Sequence, residues 1–394
     1  MFRKSIEFII IKLKYFLVVI SLLVSCKSRV KELFQFDPVN FIERNTFLSE
    51  LGDDITYVPL DSNIVLGRNY FPIVFDGKQL YYYNYEGIFV FNKDGEFVKR
   101  IGKKGRGPGE LIYGMNFSVD ENTGTTYILD SKNTVKIYSV DGDYKGNISL
   151  NSFIGSIDCI NVYNTYIFSL YNIQLNDGND YEWVVYDTLG KVIQKKQRML
   201  PQFTSNYLAG GGTYIYNKNL YYWNQFLDTV FTVFPDFTYK PSFVFVSGEY
   251  RLPKVNIDDP INRLHQYMII EQIIETKHFI MIRYSHFEGK NGFVLVDKST
   301  QESLLSYWEY EQYGSIVNDI DGGPDFLPRG YFVENGREYL VGFIDPYNIK
   351  NWVEKDDFLL KGVKSLDKKQ LLIKLADSLE ETDNPILVIV RLKN

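Results

Sequence analysis

The chain has 394 residues, 43 basic and 49 acidic, for a formal net charge of −6. A composition 45% hydrophobic and 23% charged supports a buried core and excludes wholesale disorder. The acidic balance excludes the concentrated basic face that nucleic-acid binding needs. Aromatics reach 16%, with 31 Tyr and 29 Phe, a stock that favours pleated sheet.

The first 26 residues read as an address. Arg3, Lys4, Lys12 and Lys14 precede the apolar run YFLVVISLLV at 15–24. Ten residues are too few to span a bilayer as a helix but suit a signal-peptide core. The run ends in Leu23-Val24-Ser25-Cys26, which resembles the bacterial lipobox. That resemblance implies cleavage after residue 25, lipidation of Cys26 and an anchor in the cell-envelope membrane. The mature chain then carries 39 basic and 48 acidic groups, and residues 26–54 read as a linker. Lipidation consumes one of two cysteines, so Cys159 has no disulfide partner and is expected to be a small buried residue. The segment after Cys26, KSRVKE, is basic. Acidic residues there mark surface export in some related bacteria, so a periplasm-facing position on the outer membrane is expected over the cell surface.

From residue 55 the chain repeats. GIFVFNKDGEFVKRIG at 87–102 is a strand, an Asp-Gly turn expected to hold two positive φ angles, and a second strand. The unit recurs at 133–148 and 181–196, with turn glycines Gly95, Gly142 and Gly190 spaced by 47 and 48 residues. A weaker copy turns at Asp236, and a fifth near Lys298-Ser299. Each hairpin follows another strand pair, such as FPIVFDG and KQLYYYNY. Four strands in that period define a propeller blade, for which ~40–50 residues is usual. Six blades are counted, the sixth built from LPRGYFVE, REYLVGFID and PILVIVRLK. It lacks one strand, and ITYVPLD at 55–61 is expected to supply it. The predicted fold is therefore all-β: a six-bladed β-propeller of four-stranded antiparallel blades over 55–394, closed by N- and C-terminal strands. Short helical insertions are expected within 254–276 and at 365–381, the latter with Leu371, Leu375 and Leu379 on one face.

The stretch IGKKGRGPGELIYGMNFSVDENTGTTYILDSKNTVKIYSVDG resembles the NHL-type propeller repeat with its G-x-G-P-G-E turn. Together with LSELGDDITYVPLD, NDIDGGPDF and NPILVIVRLKN, it makes the mature chain similar to the secreted six-bladed β-propeller lipoproteins of gut bacteria. The resemblance implies fold and location more than an activity.

Two polar segments stand out. GKKGRGPGE at 102–110 is not a P-loop, since no Gly-Lys-Ser/Thr closes it. It reads as an inter-blade turn whose Lys103, Lys104, Arg106 and Glu110 form a charged patch suited to an anionic ligand. NDIDGGPDF at 318–326 offers Asn318, Asp319, Asp321 and Asp325. Calcium would suit these carboxylates, but the spacing departs from an EF-hand, and the preferred reading is an Asx-turn loop. No resident cofactor is expected. With the ring closed, both segments are expected on one rim, where Arg106 would take an anion and Asp319 and Asp321 hydroxyls, or where arginine and aspartate would pair.

Three histidines, His265, His278 and His286, show no H-x-H or H-x-E pair, and His278 reads as a strand-packing residue. The aromatic runs YYYNY and YYWNQF read as core between blades. The function expected is a non-catalytic binding or scaffolding propeller for a glycan, peptide or envelope protein. The alternative is a metal-dependent hydrolase or lyase working in the channel.

Overall fold

The computed structural model describes residues 33–394 apart from 68–73, 85, 115, 151, 154, 173–179, 201–209, 258–262, 310–313 and 361. Cys26 and the signal segment lie outside the described residues. Six sheets form the ring.

An N-terminal strap comes first: β1 (Phe34–Phe36), β2 (Ile42–Glu43), β3 (Thr46–Phe47), helix α1 (Leu48–Leu51) and β4 (Gly52–Pro59). Blade one holds β5 (Val74–Phe75), β6 (Gln79–Asn84), β7 (Gly87–Asn92) and β8 (Phe97–Ile101). Blade two holds β9 (Asn116–Val119), β10 (Thr126–Asp130), β11 (Thr134–Tyr138) and β12 (Tyr144–Ser149). Blade three holds β13 (Ile157–Tyr163), β14 (Tyr166–Tyr171), β15 (Tyr181–Tyr186) and β16 (Val192–Gln197). Blade four holds β17 (Gly211–Tyr216), β18 (Asn219–Asn224), β19 (Thr229–Val233) and β20 (Tyr239–Phe245). Blade five holds β21 (Ile269–Glu275), β22 (Phe279–Ser285), β23 (Asn291–Asp297) and β24 (Ser303–Trp308). After the bridge strand β25 (Ile316–Val317), blade six uses β26 (Gly330–Glu334), β27 (Arg337–Ile344) and β28 (Ile386–Leu392). Helices α2 (Pro346–Val353), α3 (Asp356–Leu360) and α4 (Leu366–Ser378) separate its last two strands.

Strand β4 completes blade six, antiparallel to β28, with Ile386 opposite Pro59 and Val390 opposite Ile55. The expected closure is present. The strap also does more than link: β1 adds to the outer edge of β20, and β2 runs parallel to β24, so blades four and five are five-stranded. Strand β3 pairs in parallel with β25 between blades five and six. Segment 34–54 is thus built into the wall.

The turn glycines have φ of 86°, 91° and 82° at Gly95, Gly142 and Gly190, and Phe237 takes the same role at 61°. Only one turn residue is left-handed, not two. Each of these four residues donates its N–H to the carbonyl three residues back, at Asn92, Ser139, Asp187 and Phe234, as in a type I turn closed by a left-handed residue. A separate bulge follows further along each hairpin, at Val90/Phe91, Ile137/Tyr138, Val185/Tyr186 and Val230/Phe231. The three glycine turns rest on the outer strand of the blade before them. A Cβ at Gly142 would meet the Arg100 carbonyl oxygen at 3.4 Å, and one at Gly190 the Ile148 side chain at 2.8 Å. At Gly95 it would run into the Pro59 carbonyl. In this respect β4 stands to blade one as β8 stands to blade two.

The core is a ring of wedges between blades, filled by Tyr82 and Phe91 against Phe332 and Leu387, and by Phe168 and Trp183 against Tyr222. The aromatic runs are core, as expected, and the buried Cys159 belongs to the same wedge as Trp183. Between blades three and four, Lys196 on β16 pairs with Glu182 on β15, each side chain 1% exposed. The ammonium lies 2.7 Å from the Tyr222 hydroxyl and 3.9 Å from the Phe231 ring centroid. The Tyr222 hydroxyl in turn donates to Glu182 at 2.9 Å, and burial pulls the Lys196 ammonium below its ordinary pKa against the pull of Glu182.

Within 254–276, Arg263 is α-helical and leads into a 3-10 turn, Leu264–Gln266, and strand β21, while residues 258–262 lie outside the described residues. Two expectations need correction. Helix α4 forms, but Leu371 is exposed and the buried face is Lys369, Leu372 and Ala376, continued by Leu379. His278 is exposed in the turn before β22 instead of packing within it.

Candidate functional site

Both polar segments connect an outer strand to the next blade's inner strand, β8 to β9 and β24 to β26, so antiparallel geometry places them on the same face of the ring. They flank different blade junctions.

The basic segment folds around one carboxylate. Glu110 accepts the Gly107 N–H at 2.9 Å and pairs with Lys103 at 3.0 Å, and these two contacts, the backbone one foremost, hold its pKa below the ordinary value. A Cβ at Gly105 would strike the Glu110 carboxylate, so the close wrap requires glycine there. The loop is also fastened from below. The Tyr138 hydroxyl donates to the Gly109 carbonyl at 2.9 Å, and Lys136 reaches the Glu110 carbonyl. Asp130, 2% exposed, accepts the Ile112 and Tyr113 N–H groups at 3.1 and 2.7 Å. Held this way, the loop displays the exposed Lys104 and Arg106 and the 70% exposed Tyr113. Asp130, Lys136 and Tyr138 escaped sequence reasoning because they sit inside ordinary strand patterns some 20–30 residues downstream. Their only signal was a buried-position Asp ending TTYILD.

The acidic segment is turned inward. Asp319 accepts the Ser49 N–H at 2.9 Å and its hydroxyl at 2.6 Å. Asp321 is fully buried, and its Oδ1 accepts the Asn318 amide at 2.7 Å, the Gly323 N–H at 2.9 Å and the Tyr57 hydroxyl at 3.3 Å. The Asn318 amide also reaches the Tyr57 hydroxyl, at 3.1 Å. Asp325 is half-buried at the end of the loop. Helices α2 and α4 cover the segment: the Trp352 indole donates to the Gly322 carbonyl at 2.8 Å, and Ser365 N–H to Ile320 at 2.8 Å. The structure therefore brings Asn318, Asp319 and Asp321 together as a pin between the strap and blade six. Neither aspartate pairs with Arg106. Among the described residues no three His, Cys, Asp or Glu side chains converge as a metal set.

Burial raises the Asp321 pKa above the ordinary carboxylate value, against the Gly323, Tyr57 and Asn318 hydrogen bonds and the more distant Lys368 charge. The folded state thus binds this proton more tightly than the unfolded chain. Its contribution to stability is present below the unfolded value, near pH 3.9, and is lost as pH rises through the folded value. Asp321→Asn keeps an Oδ1 acceptor and removes the titration. Its stability relative to the parent is expected to improve between pH 4 and pH 7 in urea unfolding, and a difference independent of pH refutes the assignment.

The fold and this loop architecture define a closed six-bladed propeller with rigid inter-blade loops on one face. The chain belongs to the family described as "Domain of unknown function (DUF4934)", whose model matches residues 33–391. Among solved structures it is similar to a Bacteroides fragilis protein described as a "Putative exported protein", with 22% identity, TM-score 0.69, 92% of this chain and 100% of that one. It is also similar to a DUF4221-family member from Bacteroides vulgatus, with 14% identity, TM-score 0.51, 87% of this chain and 97% of that one. No curated protein matches it.

Proposed function

We propose that the protein is a lipid-anchored, non-catalytic binding or scaffolding propeller of the bacterial cell envelope, periplasm-facing on the outer membrane. Its ligand is an anionic glycan, peptide or partner protein taken at the rim loop between blades one and two. The observation that carries this reading is the loop at 103–113: its backbone is fixed by buried partners, while the Lys104 and Arg106 side chains have none among the described residues. A fixed backbone reduces the ordering cost of binding, and a guanidinium can fork onto a carboxylate or sulfate with Tyr113 beside it as an apolar platform. The lipobox-like Cys26 and an exported protein among the fold relatives support the address.

The test is an array of uronate-bearing and sulfated glycans and acidic peptides, probed with the mature protein and with Lys104→Glu/Arg106→Glu. A hit weakened at least tenfold by the double variant, with unfolding unchanged, is expected. A hit that the double variant binds as tightly as the parent, or an array without hits, overturns the reading.

A further inference from the structure

We infer that the propeller stands on the bilayer by the outer wall of blades four and five, leaving free the open face that carries the 103–113 loop. The inference rests on the Cys26 anchor proposed above.

The wall is where the chain first enters the fold. Phe36 is fully buried, its ring packing edge-on against Phe41 and Phe245 with centroids 4.9 and 5.2 Å away. Its carbonyl accepts the Val246 N–H at 3.0 Å and the Tyr250 hydroxyl at 3.3 Å. The eight residue steps from Cys26 to Phe34 reach at most about 28 Å. A five-stranded blade measures about 24 Å from wall to axis at ~4.8 Å per strand. Half the height of a six-residue strand adds roughly 10 Å at right angles. An anchor beneath the centre of either face would therefore need an almost fully taut tether, at a large entropic cost. An anchor beside blade four needs none. The strap on that wall presents Val39, 89% exposed, with Ile42 also exposed, and these apolar groups gain by contact with the acyl boundary.

The full lipidated protein, carrying one fluorophore at Val39→Cys, Tyr113→Cys or Leu360→Cys, is reconstituted into vesicles of equal parts phosphatidylcholine and phosphatidylglycerol with brominated acyl chains. Cys159 is buried and leaves each introduced thiol as the labelling site. Quenching at position 39 is expected to exceed that at 113 and 360 by at least twofold. A flexible Gly-Ser insert of about 20 residues between Glu32 and Leu33 should narrow the contrast without reversing it, since the exposed apolar groups remain. Equal quenching, or stronger quenching at 113 or 360, with or without the insert, overturns the inference. Mass spectrometry separates the two claims: an unacylated membrane-extracted protein defeats the anchor and this orientation together, whereas an acylated one with the wrong profile defeats the orientation alone.

Discussion

Lys196→Met and Glu182→Gln are each expected to lower stability by about 3–5 kcal/mol, the usual cost of leaving one member of a buried ion pair without its partner. The pair joins β15 to β16, and its aromatic surround comes from the neighbouring blade, through Tyr222, Phe231 and Tyr239. Without Lys196, the Glu182 carboxylate keeps, among the described residues, the Tyr222 hydroxyl and the Met199 N–H. Without the carboxylate charge, the ammonium rests on π faces and one hydroxyl. The double variant Lys196→Met/Glu182→Leu removes both charges and should recover most of the loss, because well-packed apolar replacements of such pairs are often neutral. Denaturant unfolding of the four proteins measures the coupling. Single variants within about 0.5 kcal/mol of the parent would show that the pair is solvated and not a clasp between blades three and four.

Gly95→Ala is expected to be far more damaging than Gly142→Ala, although both positions have φ near 90°. The left-handed backbone alone costs an alanine roughly 1–2 kcal/mol, and Gly142→Ala should show about that. At Gly95 the added methyl meets the Pro59 carbonyl, and Pro59 ends the strand that closes the ring. The surplus cost at Gly95 therefore reports on closure. It should shrink in a protein from which residues up to Pro59 have been deleted, although such a protein starts from lower stability. Equal costs at both glycines would mean that the seam between blades six and one yields freely.

The blade hairpins were legible in sequence because a left-handed turn residue and a strand alternation repeat at one spacing. Closure was legible as well, since a sixth blade lacking one strand and an unpaired N-terminal strand imply each other. The strap on blades four and five was not. Its strands β1, β2 and β3 are two or three residues long, too short for alternation to register, and two of their pairings are parallel with partners over 250 residues away. Helix α4 was found with its register displaced. Lys369 occupies a buried position because its ammonium caps α3 at the Phe358 and Leu359 carbonyls, which a hydrophobic-spacing argument cannot anticipate. For the acidic loop the sequence left open whether its carboxylates meet a ligand or the protein, because dense Asp and Asn look alike whether their oxygens meet solvent or protein. Its partners, Ser49 and Tyr57, lie more than 260 residues earlier. The basic loop was found as a turn, but the buried Asp130 that holds it rigid carries no motif.

The pairing of β4 with β28 also dictates an order of events. Gly52–Pro59 leaves the ribosome more than 300 residues before Ile386–Leu392. Five blades can assemble from neighbouring hairpins as the chain lengthens, but β4 has no edge to join until β28 appears. For that interval an eight-residue strand with open backbone groups must be kept from strangers. A chain stalled before Ile386 would therefore hold five formed blades yet carry an exposed strand at one end and an unsealed blade at the other. That is a geometry for head-to-tail association between copies.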